Sequence, residues 1–324
     1  NDIDLPYNFP FGSPGASKYS SRDAVIMLVN RAKSVYKAYV HHCLEVFDPL
    51  HPLLTRKDFE IEIEQYWSRP SDATFCWLAE FLMVLGLGCS ACPTRSHPAT
   101  EFYMAAEACL MQAPFMFQPN LSILKALSLM VLAKYVHNTS CCSVESCYAL
   151  LGLLVRLAIM CGLDQETVQV DREGEGTERW ESQRNLWTFI QYLDIKASLT
   201  TGMPPHVQYN ATSPPRDWIP CWNDDGPSNL QQPPVYDSFP LIYMILARVN
   251  SPTNKLSYPE VLEYNAKIRR HMKRSDKASG NPLLRTTLDI YFRRALLAHH
   301  RNFALEINAP SAFPESYWSS LECS

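Results

Sequence analysis

Apolar positions recur along most of the chain at the three- and four-residue spacing of helices, and two-residue alternation is scarce. In "SSRDAVIMLVNRAKSVYKAYVHHCLEVF" (20–47), Val25, Leu28, Val29, Ala32, Val35 and Tyr36 fall on one helical face. Ser20 or Ser21 supplies an N-cap. Two prolines in "DPLHP" (48–52) end that helix, and Thr55 opens the next, "TRKDFEIEIEQYW". Periodicity predicts further helices near 72–88, 99–113, 120–137, 143–161, 178–200, 238–250, 257–274 and 281–306. The pattern predicts an all-α fold: one large multi-helix domain of about ten helices over 20–324, preceded by an irregular segment, 1–19.

Boundary residues agree with that pattern. Ser257 and Glu260 stand at capping-box spacing, and Asn281-Pro282 is a cap followed by proline at the first helical position. Gly162 sits where a left-handed C-terminal cap belongs. Eight prolines between 202 and 236 predict a long irregular connection. The apolar run "FCWLAEFLMVLGLGCSAC" (75–92) contains Glu80 and reads as a buried helix rather than a membrane span.

A formal net charge of −4 argues against a free-standing nucleic-acid-binding domain. Eleven cysteines without a basic, apolar leader at the N-terminus fit reduced thiols in a nuclear or cytoplasmic protein. Cys89 and Cys92 form a lone CxxC and Cys141-Cys142 a second close pair, too few properly spaced ligands for structural zinc. His41-His42 and His299-His300 are adjacent on helices, so each pair points about 100° apart. These histidines are expected at interfaces or in solvent. The basic run "KIRRHMKRSDKASG" (267–280) reads as a solvated helix C-terminus. No nucleophile elbow, phosphate loop, HExxH or dinucleotide fingerprint occurs, which predicts a non-enzyme.

Four stretches then carry a resemblance. "YVHHCLEVFDPLHPLLTRKDF" (39–59), "CYALLGLLVRLAIMCGLDQET" (147–167), "ESQRNLWTFIQYLDIKASLTTGMPP" (181–205) and, more weakly, "RRALLAHHRNFAL" (293–305) lie in that order. Together they resemble the fungal-specific transcription factor domain, or middle homology region, of zinc-binuclear-cluster regulators. Thr188, Ile195 and Met203 depart from the family pattern, which commonly has Trp, a basic residue and Arg there. The resemblance implies a nuclear regulatory domain that controls a metabolic pathway. DNA contact and zinc would belong to a six-cysteine cluster upstream, with no cofactor in this chain. The family's region often continues in further helices, which leaves room for truncation at the C-terminus. Expected partners are a small-molecule effector and co-regulator proteins, with no membrane, and a homodimer is allowed. The rival reading is a pure interaction module without a ligand.

Residues of structural weight in this reading are Arg156, Arg184, Trp187, Asp194, Ser198, Gly202 and Pro204. Leu186, Ile190, Leu193 and Ala197 form a core stripe, and Asp194 borders it. A carboxylate there needs donors, so the sequence predicts a pair with Arg156, aided by Ser198. Gly202 ends the helix, and Pro204 keeps the chain from re-entering it. Tyr135, His137, Arg156 and Gln191 are polar groups on otherwise apolar helices, and serve as candidate ligand contacts.

Overall fold

The computed structural model describes residues 5–6, 8–47, 53–54, 56–93, 97–137, 141–165, 175–208, 235–251, 253, 255–278 and 282–324. Among these residues there are thirteen α-helices and no strand. In chain order they are α1 (Arg22–Arg31), α2 (Tyr36–Phe47), α3 (Arg56–Ser68), α4 (Phe75–Ala91), α5 (Ala99–Gln112), α6 (Leu121–His137) and α7 (Cys141–Met160). They continue as α8 (Glu175–Thr201), α9 (Phe239–Val249), α10 (Tyr258–Ala278), α11 (Pro282–Ala304), α12 (Ala309–Ala312) and α13 (Pro314–Cys323). The all-α expectation holds. The expected turn at 48–52, Thr55, Asn281, residues 209–234 of the connection, residues 172–174 and the Cys141 and Cys142 side chains lie outside the described residues.

Two differences from the predicted helices have physical reasons. The single helix expected over 20–47 is two, because residues 32–35 form a turn closed by short-range bonds such as Val35 N–H to Ala32 C=O at 2.9 Å. No glycine or proline marks this break, so periodicity runs straight through it. Helices α12 and α13 begin at Ala309 and Pro314 within "NAPSAFPES". Their prolines occupy first-turn positions, where a missing N–H costs nothing.

The chain divides into two compact units, residues 1–190 and 191–324, with the boundary inside α8. In the first, α4 is central and packs against α2, α5 and α6, while α7 packs on α6. The interior of α4 is fully buried from Leu78 to Cys89. Gly88 lets α2 approach closely: an added Cβ would fall 1.8 Å from the Tyr39 carbonyl oxygen. Among the described residues no helix is long and apolar enough to cross a membrane. The N-terminal segment has little helix beyond a short 3-10 turn at Ala16–Tyr19, yet buried charges pin it down. Glu107 accepts from Gly12 and Ser13 N–H, both at 2.7 Å, and Lys134 donates to Phe9 C=O at 2.8 Å.

In the second unit α11 packs against α9, α10 and α13. A polar clasp fixes α13: Arg269 donates to Ser319 and Glu322, Asn265 to Glu315, and Arg293 to the Glu322 carbonyl. His299 and His300, expected at interfaces or in solvent, are buried at 1% and 0% exposure with ring centroids 4.3 Å apart. Their Nδ1 atoms engage the Ala295 carbonyl and Ser316 Oγ, each at 2.8 Å. Burial lowers the His299 pKa to about 4 and that of His300 to about 3, so both are neutral imidazoles. His41 matches its expected exposed setting and pairs with Glu45 at 3.0 Å.

Candidate functional site

Asp194 organises the end of α8. It is fully buried, and its oxygens accept from His206 N–H and Val207 N–H, each at 3.0 Å, and from Tyr243 O–H at 3.3 Å. Burial raises its pKa, opposed by the amides of Val207 and His206. Tyr243 responds in the same sense: burial, then the neighbouring carboxylate, push its phenol well above the usual range. The expected Arg156 pair is therefore corrected. Arg156 is exposed on α7, and both Asp194 oxygens are taken up inside the second unit. Ser198 is corrected too, since its buried hydroxyl has no hydrogen-bond partner among the described residues.

The carboxylate acts as a clamp on the turn after α8. Gly202 adopts φ +73°, the left-handed region, and its N–H bonds the Ser198 carbonyl at 2.9 Å. The chain then folds back over Met203-Pro204-Pro205 and places the next two amides on Asp194. Arg184 lies over the Trp180 ring at 5.3 Å, and Trp187 is half-buried. Gly162 terminates α7 the same way, with φ +73° and a Leu163 N–H to Ala158 C=O bond.

Beside this clamp lies a cavity of about 340 Å³, wholly within the second unit. The last turn of α8 forms one wall through Ser198, Thr200, Thr201 and Gly202. Helix α9 contributes Leu246, Val249 and Asn250, and α13 contributes Ser320. Helix α11 supplies Arg294, Leu297, Ala298 and Arg301, which share a face at spacings of three, four and seven. No Asp or Glu side chain lines this space among the described residues, and Ser324 borders it as well. Arg294 donates to Thr200 Oγ1 at 2.9 Å. The Ser198 and Ser320 hydroxyls are buried without a partner, and both residues border the cavity.

Two other hollows border α3 in the first unit. One, of about 360 Å³, lies between α2 and α3 and includes Lys37, Arg56, Glu60 and Glu64. The other, of about 700 Å³, is an open groove along α3 reaching Trp77.

The four expected ligand contacts border none of these three hollows. His137 Nε2 bonds the Tyr103 hydroxyl at 2.8 Å, at the end of α6 that also carries the half-buried Tyr135. Arg156 is exposed, and the buried Gln191 presents its main-chain carbonyl to the Tyr243 hydroxyl. Arg294, Arg301 and Ser320 on the cavity, and Tyr243 on the clamp, were not among the expected residues. The spacing of Arg294 and Arg301 around Leu297 and Ala298 was a visible signal; that of Tyr243 was not. Among the described residues no group of three or more metal-ligating side chains could hold an ion.

Residues 37–286 match the fungal specific transcription factor domain. The chain belongs to this family. Arg294 and Arg301 lie beyond the matched residues. The chain is also 21% identical over 340 residues to "Transcription factor asR3" of Sarocladium schorii, covering 90% of this chain and 39% of that protein. It thus spans about two-fifths of the length of that relative. No solved structure matches the chain significantly.

Proposed function

We propose that this regulatory domain senses a small molecule in the cavity between α8, α9, α11 and α13, and so adjusts the output of a nuclear transcription factor. The observation that supports this reading is one cavity whose wall combines apolar Leu246, Val249 and Leu297, polar Thr200, Thr201 and Asn250, and the guanidinium groups of Arg294 and Arg301. Its volume of about 340 Å³ falls at the small end of ligand pockets, which run ~300–1,000 Å³. The cavity joins four helices, so an occupant gains by holding α13 against the α8 turn, and the state with those elements packed becomes more populated. In the full-length protein, zinc and DNA contact belong to a cluster outside these residues, as the family resemblance implies.

Thermal melting of the chain against fractionated metabolite extracts tests this. A ligand at one hundred times its Kd adds about 2.7 kcal/mol to the folded state. One fraction should raise the melting temperature of the wild type and leave Ala298→Phe, whose ring occupies the cavity, unchanged. Equal shifts in both proteins, or none from any fraction, would refute the reading. A second reading, docking of a co-regulator protein, is favoured by Leu305, Ile307 and Trp318, exposed at 78%, 96% and 64%. Loss of co-regulator binding in Ile307→Ser with no metabolite effect would select it.

A further inference from the structure

We propose that the open groove along α3 docks a cationic, amphipathic segment of another protein, with lysines or arginines on both sides of one large apolar side chain. The groove belongs to the first unit, whereas the cavity belongs to the second, so the two readings stand independently. The outer face of α3 forms one side, and Asp72 to Thr74 with Trp77 of α4 form the other. On α3, Ile61, Gln65 and Ser68 share a stripe, with Glu62 about 100° to one side of Ile61 and Glu64 about 60° to the other. All five side chains are open to solvent, and Ile61 is 53% exposed. An apolar residue flanked on both sides by carboxylates asks for an apolar anchor flanked by cations.

The carboxylates have capacity to spare. Glu62 spends one oxygen on the Trp77 indole N–H at 2.8 Å, and Asp72 one on the Ser71 hydroxyl at 3.2 Å. Neither these two nor Glu64 joins an ion pair among the described residues. Against the three stands Arg69, so the lining is net negative. Arg22, beside the same turn, is spent on the Ser71 carbonyl at 3.2 Å and on the Phe75 ring at 4.5 Å. Exposed carboxylates hold a bare cation weakly because both charges stay hydrated, so the occupant must also bury apolar surface. Ile61 and the half-buried Trp77 supply it. The Trp77 ring is fixed in place, stacked on Phe81 at 4.9 Å and tilted against Tyr66 at 5.3 Å, so little side-chain freedom is lost on docking. Nucleic acid is excluded, since the same carboxylates repel phosphate. The chain's own basic helix is a poor occupant: on α10, Lys267 is held by Glu263 at 2.6 Å and Arg269 by Glu322 at 2.7 Å.

The test is NMR of the full chain labelled at its 7 tryptophans, with the Trp77 indole N–H signal assigned through Trp77→Phe. The probes are short synthetic peptides with a central leucine or phenylalanine and lysines or arginines three or four residues to each side. Controls carry serine at the centre or glutamate at the flanks. The basic, apolar-centred peptides should shift the Trp77 signal and bind at least about tenfold tighter than either control, with affinity falling as salt rises from ~0.05 to ~0.5 M. Glu64→Lys combined with Asp72→Lys should weaken them at least about tenfold, and Ile61→Ser should remove the preference for an apolar centre. These three residues are exposed, so the replacements leave the fold intact, as unchanged melting will verify. Glu62→Gln keeps an acceptor for Trp77 and should weaken binding through its lost charge alone. Ala298→Phe should bind as wild type does. Peptides that leave the Trp77 signal unmoved, or that bind equally well after the two charge reversals, overturn the proposal. A free chain that sediments as a dimer, and that Lys273→Glu or the groove reversals dissociate, gives the groove to a second copy and overturns the assignment to another protein.

Discussion

Replacing Asp194 by alanine removes the acceptor that holds the turn after α8, and the structure sets the size of the loss. Three donors lose the carboxylate as acceptor: His206 N–H, Val207 N–H and Tyr243 O–H. An unsatisfied buried donor costs about 1–3 kcal/mol. The two amides are half-buried and water can replace the carboxylate there, and Tyr243, though 1% exposed, keeps the Gln191 carbonyl at 3.2 Å as an acceptor. Removing a desolvated charge returns part of the cost, as the raised Asp194 pKa shows. The net destabilisation should be about 1–2 kcal/mol, or roughly 3–8 °C in melting temperature for a unit of this size. Calorimetry measures this directly, and limited proteolysis should reveal new cleavage at 202–208. A double-mutant cycle with Tyr243→Phe should give coupling of at least about 0.5 kcal/mol. Arg156→Ala should cost under about 0.5 kcal/mol, because Arg156 is exposed. Melting of Asp194→Ala within a degree of wild type, or a larger loss from Arg156→Ala, would refute the clamp.

Gly88→Ala should abolish soluble folded protein or cost more than about 3 kcal/mol, since its Cβ would meet Tyr39 backbone rather than a movable side chain; wild-type melting would be the contrary result. Acid should loosen the second unit. The folded-state pKa values of His299 and His300 lie below the unfolded value, so the unfolded chain binds more protons, and stability falls as pH drops from about 6.5 toward 4. The slope approaches about 1.4 kcal/mol per pH unit for each histidine, and His300→Asn should reduce it in pH-dependent denaturant titrations. Glu80 works in the opposite direction. Burial, partly offset by Lys125 at 3.5 Å, raises its pKa to about 7, so its contribution is full below about pH 4.5 and is lost as pH rises through 7. Glu80→Gln should remove that component of the first unit's pH dependence.

Helices were legible wherever periodicity and terminal chemistry agree. The core stripe of α8 and the left-handed stop at Gly202 are local facts, fixed by side-chain spacing and by a backbone angle that glycine tolerates. That Asp194 belongs to a scaffold was also readable, because a carboxylate beside buried Leu193 and Ile195 must find donors. Which donors it finds was not. Main-chain amides carry no side-chain identity, and a sequence search for a partner finds the nearest cation instead. His299 and His300 show a related limit. Neighbouring side chains diverge on a helix, yet both lie at the margins of one buried face, where α13 brings Ser316 to the second ring. The candidate cavity was only half visible: the α11 spacing was in plain view, but its other walls come from α8, α9 and α13, which only the tertiary fold brings together.

Cavity occupancy as the control of transcriptional output is tested most directly by a reporter driven through this chain. The chain is fused to a heterologous DNA-binding domain and an activation segment, and reporter output is followed as metabolite supply changes. Wild type should respond to supply. Ala298→Phe, verified to melt like wild type, should give output fixed at one level. A response of undiminished amplitude in Ala298→Phe would contradict the account.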